Sequence, residues 1–245
     1  RLRAEFEHLQ KLGWWFGFVT LTYNDHYLPH LPYLFVKNGV DGFDFPQCFN
    51  KHHVRDFITD FRQWLFRRYD AVRRVKDGKV IKDERLRFLL GAELGESTKR
   101  SHYHMVLALP RSVPPEAVHK YIKSRWYFGF VFPRNFNGGL DGKGYNHSPF
   151  VVDSVGCATA YASKYVCKDI GFYESVRLSD LHKKVVFNVD GEEKVFRLSD
   201  YFPFHMQSKS LGACFLDGLD DSKKMTLLTV GHAFMVFLIQ VLKMV

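Results

Sequence analysis

The 245-residue chain is 46% hydrophobic and 16% aromatic, which excludes intrinsic disorder and supplies the apolar side chains of a proper core. Its 35 Lys and Arg against 26 Asp and Glu leave a net charge of +9, which favours a polyanionic partner such as nucleic acid over a merely basic soluble protein. Cys48, Cys157, Cys167 and Cys214 form no CxxC pair, which argues against a disulfide framework or a zinc knuckle and fits a reducing cytoplasm.

The N-terminal "RLRAEFEHLQKLG" is charged and lacks the apolar centre of a secretory signal. "WWFGFVTLTY", Trp14 to Tyr23, is aromatic and β-branched with Phe18, Thr20 and Thr22 on one face, and predicts a strand. A loop containing Asn24, Asp25, Pro29, Pro32 and Gly39 follows. Val54, Phe57, Ile58, Phe61 and Leu65 then recur at steps of three and four, an amphipathic helix with Asn50 as its N-cap. Arg55, Arg62, Arg67 and Arg68 lie on its other face, and cations near a helix C-terminus are ordinary partners of its dipole. The Asp-Gly pair of "VKDGKV" predicts a turn, "LRFLLGAEL" a second strand, "GESTKRS" a turn, and "HYHMVLALP" a third strand that pairs with the second. Pro114 and Pro115 open a helix with Val118, Tyr121 and Ile122 inward. "FGFVF" and "PFVVDSV" read as strands around a Gly- and Asn-rich loop, and "ATAYASKYVCKDI" as a last helix.

The order β, α, β, β, α, β and one more helix predicts an α+β domain over residues 1–175. Its expected core is a split βαβ, ferredoxin- or RRM-like antiparallel sheet with helices on one face. Residues 176–245 are expected to form a C-terminal extension. Its apolar end, "MTLLTVGHAFMVFLIQVLKMV", contains Gly231, His232, Gln240 and Lys243 and reads as a buried helix or strand pair in preference to a membrane span. Both ends of the chain lack obvious caps, as a fragment would.

His102 and His104 project to one face of the third strand while Tyr103 points to the other, which suggests a core tyrosine between two imidazoles. An HxH pair alone fits either a metal site or the wet face of a strand. Glu93 ends the neighbouring strand, so its carboxylate can reach the same face and complete a three-ligand set suited to Mn²⁺ or Mg²⁺ with water, or to Zn²⁺. Glu96 competes for that role from within the turn. On the last helix Tyr161, Lys164, Tyr165 and Lys168 fall within one arc, opposite Ala162, Val166 and Ile170. A half-buried packing face explains this arc as well as a nucleophile would. A phenol acts as a nucleophile when a cation or base assists its ionisation, and the lysines sit at the spacing to do so.

Jointly, these residues resemble the HUH endonucleases, whose metal motif is histidine, an apolar or aromatic residue, and histidine. More narrowly, "FVTLTY", "GAELGESTKRSHYH" and "YASKYVCK" are similar, in order, to the first, metal and tyrosine motifs of replication initiator proteins of Microviridae, the gokushovirus-like single-stranded DNA phages. The resemblance runs from Phe18 to about Lys168, with a weaker echo at "PFHMQSKSLGACFLD". It implies a rolling-circle initiator in the host bacterial cytoplasm that nicks and joins single-stranded DNA at a replication origin through a 5′-phosphotyrosine link, with host polymerase and helicase as partners. It also implies His102, His104 and Glu93 as ligands of Mn²⁺ or Mg²⁺, Tyr161 and Tyr165 as nucleophiles, and Lys164 and Lys168 as phosphate contacts or aids to phenol ionisation. Arg100 is a candidate phosphate contact, and Thr20 and Thr22 either position DNA or are simply strand residues. The chain departs from the pattern at Leu94, where the relatives carry an aromatic residue, and in its apolar end, where they carry a basic tail. Two rival readings are a zinc-dependent hydrolase using Glu93, His102 and His104, and a non-catalytic RRM-like module that stacks bases on sheet aromatics.

Overall fold

A computed structural model describes residues 2–30, 33–37, 40–44, 47–69, 73–76, 79–82, 86–95, 98, 100–141, 143–167, 184–189, 191–197, 200–208 and 211. The first half holds α1 (Leu2–Lys11), β1 (Trp14–Thr22), β2 (Tyr33–Lys37), β3 (Val40–Asp44), α2 (Lys51–Tyr69), β4 (Arg73–Lys76), β5 (Lys79–Lys82), β6 (Arg87–Leu94) and β7 (Ser101–Pro110). Then follow α3 (Pro115–Arg125), β8 (Val131–Phe132), β9 (Gly139–Leu140), β10 (Asn146–His147), β11 (Val151–Val152) and α4 (Val155–Cys167). The last are β12 (Lys184–Val189), β13 (Glu192–Arg197) and β14 (His205–Gln207).

Local chemistry accounts for the main helices. Asn50 Oδ1 accepts the backbone N–H groups of His52 at 3.0 Å and His53 at 3.3 Å, so Asn50 caps α2 as its sequence position predicts. Val54, Phe57, Ile58, Phe61 and Leu65 are its buried stripe. Pro114 and Pro115 start α3, where the first-turn N–H groups need no intrahelical partner. Ser154 Oγ accepts the Cys157 N–H at 3.2 Å and caps α4.

The central sheet runs β11-β1-β7-β6-β14, with every pairing antiparallel. β7 pairs with β1 from Trp14↔Pro110 to Thr22↔His102, so β11 and β8 share the other flank of β1. Taken without β8 and β14, the order is fourth, first, third, second, consistent with the expected split βαβ sheet. α2 and α3 both pack on one face, against Val19, Leu21, Leu90, Tyr103, Met105 and Leu107.

The expectation of helices on one face holds only for these two crossover helices. α1 and α4 cover the opposite face, where Phe6, Leu9, Val155, Ala158 and Ala162 pack against Phe16, Leu89, Val106 and Ala108. The reason lies in the strands: these residues make the far ends of β1 and β7 apolar on both faces, so two layers are needed to keep them from water. Other departures are local. The segment expected as a loop after β1 contains the β2–β3 hairpin, and the Asn-rich loop contains β9 paired with β10. β4 pairs with β5 on either side of the Asp-Gly pair, which itself lies outside the described residues. From the stretch expected as an extension, β12 pairs with β13, and β14 joins the open edge of β6. The apolar C-terminal run lies outside the described residues, among which no helix is long and apolar enough to cross a membrane.

Candidate metal and nucleic-acid site

Strand register assembles the site. Glu93 faces His102 across the β6–β7 ladder, Thr22 faces His102, and Thr20 faces His104 across the β1–β7 ladder. Directly paired residues share a face, here the one that carries α4. One ligand atom from each of Glu93, His102 and His104 lies within 4.8 Å of the others. The two imidazole rings stand perpendicular with centroids 4.8 Å apart. His104 Nε2 is 3.3 Å from Glu93 Oε2, and its Nδ1 is 2.9 Å from Thr20 Oγ1. His102 Nδ1 is 3.1 Å from the Arg100 carbonyl oxygen, to which it can only donate, so Nε2 is the nitrogen with the lone pair. Glu93 and His104 are 8% and 9% exposed, and a carboxylate at that depth calls for positive charge beside it. This donor set of two imidazoles and one carboxylate, with His102 half-buried at its outer side, fits Mn²⁺, Mg²⁺ with retained waters, or Zn²⁺.

α4 delivers its tyrosine to the same face. Ala158 and Ala162 are buried against the sheet, and such small side chains let the helix approach closely. Tyr161 then stacks on Phe18 with ring centroids 4.3 Å apart and 16° between planes. Phe18 in turn stacks on His104 at 5.8 Å and 9°. Tyr161, Phe18 and His104 therefore form one continuous aromatic column from the helix to the imidazole cluster. Lys164 is exposed on the same helix. Tyr165 lies one turn beyond Tyr161 on α4, and Lys168 and Glu96 lie outside the described residues.

Tyr103 occupies the opposite face and is fully buried; its hydroxyl lies 3.0 Å from that of Tyr23 and accepts the Asn50 N–H at 2.9 Å. Burial pushes its pKa above the ordinary phenol range, so it is a core residue, as the alternation of β7 predicts. Arg100 is tied down locally: its guanidinium pairs with Asp25 and donates to the Tyr23 carbonyl at 2.9 Å, closing the start of β7 onto the end of β1. Thr22 Oγ1 donates to the Phe130 carbonyl at 3.2 Å. Phe18 is the residue that sequence reasoning left without a role; its place beside Thr20 and Thr22 in the alternation was the available signal.

No curated protein matches the chain, and no solved structure does. The family described as replication-associated protein ORF2 matches residues 16–170, a span that holds β1 from Phe16 onward, the Glu93, His102 and His104 cluster, and all of α4. With well over half of its length matched, the chain belongs to the replication-associated protein ORF2 family.

Proposed function

We propose that this protein initiates rolling-circle replication by nicking and rejoining single-stranded DNA at an origin, in the manner of the gokushovirus-like Microviridae initiators. The column from Tyr161 through Phe18 to His104 supports this reading, because it links a phenol on α4, through one phenyl ring, to a cluster that can hold a divalent cation. Glu93, His102 and His104 would hold Mn²⁺ or Mg²⁺, which supplies Lewis-acid polarisation of a phosphate oxygen and charge neutralisation.

The Tyr161 phenolate oxygen attacks the scissile phosphorus in line. The P–O3′ bond breaks, leaving a 5′-phosphotyrosine ester and a 3′ oxygen that takes up a proton to become the free hydroxyl. Lys164, and Lys168 beyond it, contact the phosphate or favour the ionised phenol. A later 3′-hydroxyl attacks the phosphotyrosine, releases the phenol and reseals the strand, and Tyr165 gives the helix a second nucleophile for alternate cuts.

The test is a labelled single-stranded oligonucleotide incubated with Mn²⁺ and protein, followed by denaturing electrophoresis and mass spectrometry. Wild type should carry a nucleotide on Tyr161 or Tyr165, and Tyr161→Phe with Tyr165→Phe should carry none. A covalent adduct that persists in the double variant overturns the assignment. Zinc-dependent cleavage with no adduct and no response to either tyrosine change would make the protein a hydrolase instead.

A further inference from the structure

The row of residues across the sheet does not stop at the imidazoles. Thr20 pairs with His104 on one flank and with Phe132 of β8 on the other, so Phe132 projects to the same face. Phe130, two residues earlier, accepts hydrogen bonds at its carbonyl from both the N–H and the hydroxyl of Thr22, the residue paired with His102. Val131 between them is buried on the core face. Arg134 confirms the geometry, since its guanidinium lies 4.7 Å from the Phe130 ring centroid and 5.4 Å from that of Phe132. Two phenyl rings under one exposed cation thus stand two strand spacings, about 10 Å, from the imidazoles.

The backbone beneath them is fixed from behind. His119 on α3 hydrogen-bonds the Pro133 carbonyl at 2.8 Å, and Lys123 donates to the Arg134 carbonyl at 2.7 Å. Gly129 is required for the approach: a Cβ there would sit 2.3 Å from the Thr22 carbonyl oxygen. Phe130 is nevertheless 45% exposed. A single exposed phenylalanine is ordinary, but a rigidly held pair beneath a guanidinium, in register with a candidate metal cluster, has the parts of a base-stacking site.

We propose that Phe130 and Phe132 stack nucleobases of single-stranded DNA and that Arg134 contacts the adjoining phosphates, seating the strand next to the cluster of Glu93, His102 and His104. This rests on the reading of that cluster as a site acting on single-stranded DNA. The platform selects single strands because the faces of paired bases are already covered by their neighbours in a duplex. The guanidinium adds charge attraction, and the His147 ring, 4.8 Å from that of Phe132, extends the aromatic surface beside it.

Binding can be read separately from chemistry by fluorescence anisotropy of labelled oligo(dT), and of a duplex of equal length, on protein carrying Tyr161→Phe and Tyr165→Phe in the presence of a chelator. Adding Phe130→Leu and Phe132→Leu, which keep apolar bulk and remove the ring faces, should weaken oligo(dT) binding by about tenfold or more while duplex binding stays unchanged. Phe130→Trp should restore it, and Arg134→Gln should weaken it with a shallower salt dependence. A 2-aminopurine base in the oligonucleotide should be quenched on binding and recover its emission in the leucine variant. Oligo(dT) affinity within about twofold of the parent overturns the platform, as does equal loss for single strand and duplex. Should the double leucine variant unfold, the exposed Phe130→Leu change alone decides by the same criteria. Because nucleophiles and metal are absent from this assay, a failed platform leaves the nicking test untouched, and a failed nicking test leaves the platform standing.

Discussion

Thr20 shows how much one side chain in this site does through its neighbours. Its hydroxyl lies 2.9 Å from His104 Nδ1, where it can accept the N–H of the tautomer whose Nε2 lone pair is free to ligate a cation shared with Glu93. Thr20→Val keeps the shape and the strand preference and deletes the hydrogen bond, so Mn²⁺ affinity measured by titration calorimetry should fall about 10- to 100-fold. Thr20→Ser should retain most of it, and equal affinity in wild type and the valine variant would remove Thr20 from the site. At this scale the sequence is informative wherever the signal is local. His102 and His104 share a face because a strand alternates, and Glu93 reaches them because a short turn joins neighbouring strands. Alternation puts Phe18 on that same face, but its contact with Tyr161 is not local, since it depends on how closely Ala158 and Ala162 let α4 approach the sheet.

Elements were legible in proportion to their length and the locality of their pairing. α2 has 19 residues, a cap and five apolar positions at helical spacing, and each of these features is visible in one dimension. β14 has three residues, too few for any periodicity, and joins the sheet from far along the chain. The two-residue β8 and β11 lie within "FGFVF" and "PFVVDSV", whose aromatic and β-branched composition marks them as strands. β14 covers the edge of β6 through His205↔Gly91, Met206↔Leu90 and Gln207↔Leu89. Just beyond the strand, fully buried Ser208 completes the junction: its N–H donates to the Phe88 carbonyl at 3.0 Å and its Oγ accepts the Phe88 N–H at 3.2 Å. Ser208→Ala strands that N–H in the interior, so chemical denaturation should show a loss of about 1–3 kcal/mol. A loss within error of zero would mean that the edge relaxes without the hydroxyl. The addition of β14 also means that residues beyond 175 contribute to the sheet that positions Glu93, through Phe204, whose carbonyl accepts the Ala92 N–H at 3.0 Å.

At the scale of the whole molecule, His102 and His104 stand on one face of the central sheet and His53 and His119 on the other. On the α4 face they stand with a carboxylate in a cluster suited to a cation. On the core face they are packing residues. His53 stacks on Phe128 with centroids 3.9 Å apart and lies within hydrogen-bond reach of Tyr23 and Asn50, while His119 is buried against Phe150 and donates to the Pro133 carbonyl. Burial lowers both imidazoles below their ordinary value of 6.5. The unfolded chain therefore takes up protons as the pH falls below 6.5 while the folded chain resists them, so this contribution to stability is complete above that value and is lost on acidification. His119→Gln retains a side-chain donor for the Pro133 carbonyl and removes the titrating group. Between about pH 7 and pH 5 the denaturation midpoint of wild type should fall more steeply than that of the glutamine variant, with the two converging toward acid. Parallel pH profiles would show that His119 takes up its proton equally in both states, and that the backbone beneath Phe132 and Arg134 is not held by a neutral imidazole.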